Sequence, residues 1–67
     1  MLKEKMKEIV KYLRSNTDYN KDEIIMIINP LETPNQAEML LDWIKQQQEP
    51  VRYSIMRKKA KEIVEKN

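Results

Sequence analysis

KDEIIMII, residues 21–28, is the stretch on which the fold turns. Ile24, Ile25, Met26, Ile27 and Ile28 run without a break, and a mostly β-branched run of this kind favours a strand locally. A strand needs a partner, however, because alone it leaves its backbone N–H and C=O groups unpaired. No other stretch of the chain offers one. The acidic pair Asp22–Glu23 instead suits a helix N-terminus, where aligned peptide dipoles favour negative charge. Asn20 or Asp18 supplies the cap. The reading is a short buried helix over 21–28, with a strand paired across a dimer as the alternative. In either form the IIMII run has to be covered, since left exposed it would promote aggregation.

Working outward, Asn29-Pro30-Leu31-Glu32 reads as a turn, because the residue before a proline is disfavoured in the helical region. A helix then starts at Thr33. Its hydroxyl can cap free N–H groups, Pro34 suits the first helical position, and Gln36 completes a capping box. Ala37, Leu40, Leu41 and Ile44 fall at i, i+3, i+4 and i+7, and Met39 and Trp43 widen the stripe. At about 100° per residue the apolar arc covers roughly 200°, and Glu38, Asp42 and Lys45 are left on a narrow polar strip. Such a helix needs neighbours on more than one side. The span 33–48 is therefore expected at the centre of the fold, with Trp43 as its largest core anchor.

Upstream, Leu2, Met6, Ile9, Val10 and Leu13 define an amphipathic helix over 2–14. Lys3, Lys7, Lys11 and Arg14 form a second stripe on it. Glu4 and Glu8 are placed to pair with Lys7 and Lys11 three residues on, which would make the stripe a solvated, partly neutralised face. The alternative reading of the stripe is an electrostatic docking face for phosphates or an acidic partner. The connecting SNTDYN, residues 15–20, reads as a loop. Asp18, Asn20 and Asp22 imitate the first ligands of a calcium-binding loop. The turn glycine is replaced by Glu23 and the bidentate glutamate by Asn29, so no calcium site is expected.

Downstream, Gln48-Glu49-Pro50 ends the third helix, and Pro50 opens a last one over 51–66. Tyr53, Met56, Ala60, Ile63 and Val64 share one face of it. Val51 and Ile55 fall off that face. They are either wedged between neighbours or form an exposed patch for a partner. Around them the surface is basic, through Arg52, Arg57, Lys58, Lys59 and Lys61.

These segments add up to an all-α bundle of three to four helices (2–14, 21–28, 33–48, 51–66) in one domain, residues 1–67. Composition narrows the function. The 67 residues hold no Cys, no His and no Gly. Disulfides, ordinary zinc sites and histidine- or cysteine-based catalysis are excluded, as are Gly-rich phosphate loops. No cofactor, metal or enzymatic activity is expected. At this size a core supplies little stability. The staple left is self-association, which puts a homodimer among the expected partners. Net charge is +2 with 36% charged residues, too balanced for a dedicated nucleic-acid binder. No apolar run exceeds five residues, so neither a membrane span nor a signal peptide is expected and a cytoplasmic location is the simple reading. A glycine-free chain rich in Lys and Ile suggests an AT-rich bacterium or one of its mobile elements.

Two function classes follow. The first is a protein-interaction or regulatory module that binds through Val51, Arg52, Ile55, Arg57, Lys58 and Lys61. The second is a nucleic-acid binder of helix-turn-helix outline, with Thr33, Asn35 and Gln36 facing base edges and Lys3 and Lys7, with Arg52, Arg57 and Lys61, on phosphates. Acidic Glu32, Glu38 and Asp42 beside the supposed recognition helix count against the second. Membrane-surface binding through the first helix is weakened by Glu4 and Glu8.

Overall fold

The computed structural model describes residues 2–47 and 51–66, which form four helices: α1 (Leu2–Asn16), α2 (Lys21–Ile28), α3 (Pro34–Gln46) and α4 (Tyr53–Lys66). There is no strand among the described residues. The IIMII run is helical, and its start shows why. Asn20 Oδ1 accepts the Glu23 N–H at 2.9 Å, and Glu23 Oε1 accepts the Asn20 N–H at 3.2 Å. This reciprocal cap satisfies two end groups of the helix at once and outweighs the local strand preference of four isoleucines. It also occupies the side-chain oxygen of Asn20, one of the three residues that imitated a calcium loop. Among the described residues no three acidic side chains converge on a metal position.

The turn into α3 is built the same way. Thr33 Oγ1 accepts the Gln36 N–H at 3.1 Å, and Gln36 Oε1 accepts both the Glu32 N–H at 2.7 Å and the Thr33 N–H at 3.2 Å. Gln36 is 4% exposed and is the one buried polar side chain among the described residues. Asn29 keeps helical angles (φ −55°, ψ −38°) in spite of Pro30, with its N–H on the Ile25 carbonyl at 2.8 Å. The residue before the proline is thus held helical by its bond to the preceding turn, although that position disfavours it. Leu31, expected merely as part of a turn, is buried and closes the core beneath it.

Helix ends differ from expectation at three places. α1 runs to Asn16 rather than Arg14, because Asn16 Nδ2 donates to the Tyr12 carbonyl at 2.7 Å and Thr17 donates both its N–H and its hydroxyl to the Leu13 carbonyl. These bonds satisfy carbonyls that the last turn otherwise leaves open. α3 ends at Gln46, where the Gln47 side chain donates to the Trp43 carbonyl at 2.8 Å. α4 begins at Tyr53, with the Arg52 carbonyl accepting from both Ile55 and Met56 at 3.1 Å. The expected helix position of Gln48 and the place of Pro50 lie outside the described residues.

The helices pack as a ring: α1 lies against α2 and α3, and α4 lies against α2 and α3. The diagonal pairs, α1 with α4 and α2 with α3, have little direct packing. The core is one cluster to which every helix contributes, including Ile9 and Leu13 from α1, Ile24, Ile27 and Ile28 from α2, Leu40 and Ile44 from α3, and Met56 and Ile63 from α4. Among the described residues α3 buries the most side chains, five, as its wide apolar arc requires. Trp43 is not the core anchor. It is half-buried at the α3/α4 edge with Lys59 Nζ 5.7 Å from its ring, and the fully buried large side chains are Ile9, Leu13, Ile24, Ile27, Leu40 and Met56. A Trp ring carries its N–H to where water can reach it, whereas Leu and Ile leave nothing unpaired when enclosed. The radius of gyration, 10.6 Å, is what close packing gives for this length, about 11 Å.

A candidate interaction groove between α1 and α2

A ring of four helices covers each helix on two sides, and α2 is apolar on more sides than that. Ile24, Ile27 and Ile28 point into the core, but Ile25 is 41% exposed and Met26 52% exposed. The expectation that the whole IIMII run is covered is therefore corrected: a corner helix of this ring cannot bury five consecutive apolar residues. Ile25 faces α1 across an open groove of about 1010 Å³. Leu2, Met6 and Val10 from α1 and Ile25 and Ile28 from α2 supply its apolar surface.

Cations ring this surface. Lys3, Lys7, Lys11 and Arg14 line the α1 wall and Lys21 the α2 wall, with Ser15 and Asn29 as the polar remainder and no carboxylate in the lining. The pairs expected to neutralise the α1 stripe do not form. Glu8 lies 3.7 Å from Lys5, on the flank away from the groove, and no ion pair holds Lys3, Lys7, Lys11, Arg14 or Lys21 among the described residues. Lys5 and Glu8 are absent from the groove lining, which includes Lys7 and Lys11.

The α4 surface is organised differently. Val51 precedes the helix and is half-buried against the core, and the Tyr19 hydroxyl donates to its carbonyl at 3.2 Å. Val51 and Ile55 therefore do not share a helical patch, which is why they did not fit one stripe. Ile55 is 48% exposed. Arg57 is half-buried, with its guanidinium 5.7 Å from the Tyr53 ring, which in turn meets Tyr19 edge-on at 5.7 Å. Arg52, Lys58 and Lys61 are exposed. Lys66 and Lys59 sit 3.0 Å and 3.7 Å from Glu62. The Lys66 hydrogen bond first, and then the charge of Lys59, hold the Glu62 carboxyl below its ordinary range. Part of the α4 charge is thereby neutralised within the helix, and the hollow of about 410 Å³ that α4 shares with α3 is lined by Asp42 and Glu62 together with Lys59 and Lys66, and not by Ile55.

The residues assigned to base contact are also accounted for. Gln36 is buried with its side-chain oxygen accepting two backbone bonds, Thr33 caps α3, and only Asn35 stands exposed with no bond shown. α2 and α3 lie across a diagonal of the ring and lack the mutual packing that fixes a recognition helix. Lys3 and Lys7 fall in the α1/α2 groove, on the opposite corner from Arg57 and Lys61. Comparison with family models, characterised proteins and solved structures gives no match to this chain. No described helix is long and apolar enough to cross a membrane.

Proposed function

We propose that this chain is a small, non-catalytic protein-interaction module that works by taking a helix of another protein along its α1/α2 groove. One observation carries the reading: Leu2, Met6, Val10 and Ile25 leave an apolar strip open between α1 and α2, where a further helix would complete their burial. Helix-in-groove recognition lays an apolar face into a hydrophobic groove, and this one is bordered by polar side chains. The groove offers Ser15 as its single hydroxyl and no carboxylate or imidazole beside it, which supports binding rather than catalysis. A nucleic-acid reading would use the cations alone and leave the floor facing phosphate and sugar, with no gain from its apolar area. The α4 surface, expected first as the interface, has fewer features in its favour: one exposed isoleucine is ordinary for a soluble surface.

Photo-crosslinking tests the placement. A benzophenone side chain is introduced at Asn29, in the groove, or at Lys58, on the outer face of α4, and each protein is irradiated with a biotinylated helical peptide bearing one apolar stripe and an uncharged polar face. A covalent adduct is expected from position 29 and none above background from position 58. Adducts from position 58 alone, or from neither, contradict the reading.

A further inference from the structure

We infer that the helix this groove takes is acidic, with carboxylates four residues apart along the flank that meets α1. The inference rests on the groove being the binding surface. It adds the charge and spacing of the partner.

Two observations support it independently. The first is the sign of the rim. All five charged side chains in the lining are cations, in a chain whose net charge is only +2 and whose 11 acidic residues are otherwise spread among the basic ones. None of the five has an ion-pair partner among the described residues, although Glu4 and Glu8 are on the same helix. The second is spacing. Lys3, Lys7 and Lys11 stand at i, i+4 and i+8 on α1, so they rise along the groove in steps of about 6 Å. A partner helix lying alongside repeats the same step when its own carboxylates are four residues apart. α1 as a whole spans about 22 Å, enough to accompany four turns of such a helix.

The shape selects among anionic ligands. An acyl chain needs most of its surface enclosed, and this groove is open along its length. A phosphate backbone meets the walls but not the floor. An amphipathic acidic helix satisfies both at once, placing apolar side chains on Met6, Val10 and Ile25 and carboxylates beside Lys3, Lys7, Lys11 and Lys21.

The test uses three fluorescent, hydrocarbon-stapled helical peptides that share one apolar stripe and carry Glu, Gln or Lys at the flanking positions. Anisotropy is read at low and near-physiological salt. The Glu peptide is expected to bind about tenfold more tightly than the Gln peptide at low salt, the summed effect of a few rim ion pairs. That margin should narrow as salt rises, and the Lys peptide should bind weakest. In the protein, Lys7→Glu with Lys11→Glu, both at exposed positions, leaves three cations and two carboxylates on the rim and should abolish most of the margin between the Glu and Gln peptides, with the Gln peptide nearly unchanged. Equal affinity for the Glu and Gln peptides overturns the acidic inference and leaves the groove reading standing. No binding by any peptide overturns both. Tighter binding to phosphatidylglycerol vesicles or to duplex DNA than to the Glu peptide overturns the inference in favour of lipid or nucleic acid. Self-association that blocks the groove without peptide overturns it in favour of a second copy.

Discussion

Leu40→Ala should leave most of the chain unfolded in buffer at room temperature. Leu40 is 0% exposed and belongs to the single core cluster that joins all four helices. Removing a buried leucine side chain costs about 2–5 kcal/mol, from lost transfer energy plus the cavity left behind. A domain of this size has about 3–5 kcal/mol in total when no disulfide or metal reinforces it. The ring geometry makes the site unforgiving, because α3 is held by α1 on one side and α4 on the other and cannot collapse onto a cavity without loosening both. Circular dichroism through a urea titration checks it, with Met26→Ala, on the exposed face of α2, as the comparison. The account predicts a native baseline that is lost for Leu40→Ala and retained for Met26→Ala. Equal stability of the two variants would contradict the core described above.

Ile25→Asp should abolish most binding of an acidic amphipathic helix while keeping the fold. The residue lines the groove, and its exposed part contributes to the floor against which a partner would pack. The substitution removes apolar contact and sets a carboxylate among apolar groups opposite an acidic ligand. Losing one central interface contact costs about 2 kcal/mol, roughly a thirtyfold fall in affinity, and charge repulsion adds to it. The fold should survive because Ile24, Ile27 and Ile28, not Ile25, anchor α2. Ile55→Asp is the counterpart on α4, where affinity should stay within about twofold. Peptide titration of both variants, each first shown to melt cooperatively, decides between the two surfaces. A loss confined to Ile55→Asp would move the interface to α4.

The parts of this fold that can be read in the chain are those set by contacts within a few residues. Asn20 with Glu23 and Thr33 with Gln36 form reciprocal caps at the spacing that starts helices α2 and α3. The apolar stripes of α1, α3 and α4 give the buried faces. What is not legible depends on which helix stands beside which. Trp43 shares the α3 stripe, but the ring places that edge at the surface, beside Lys59. Leu31 belongs to no periodic stripe, yet it is buried in the core cluster with residues of all four helices. The groove is hidden for the same reason. The lysine stripe of α1 and the apolar excess of α2 are each visible separately, and only the packing of α1 on α2 brings Lys7 and Lys11 to the same trough as Ile25 and Ile28. That Glu8 pairs with Lys5 and not with Lys11 is likewise not legible, since spacing alone allows either. Val51 falls outside α4, which begins two residues later, and its carbonyl accepts the Tyr19 hydroxyl, a contact that periodicity does not show.

The central claim is that the working surface lies between α1 and α2, and methyl-resolved NMR of the wild-type protein tests it most directly. An unlabelled acidic helical peptide is titrated into protein labelled at its Leu, Ile, Val and Met methyl groups. The account predicts saturable shifts at Leu2, Met6, Val10, Ile25 and Ile28, with the Ile55 and Val51 signals unmoved. Shifts centred on Ile55 and Val51, with the groove methyls unchanged, would contradict it.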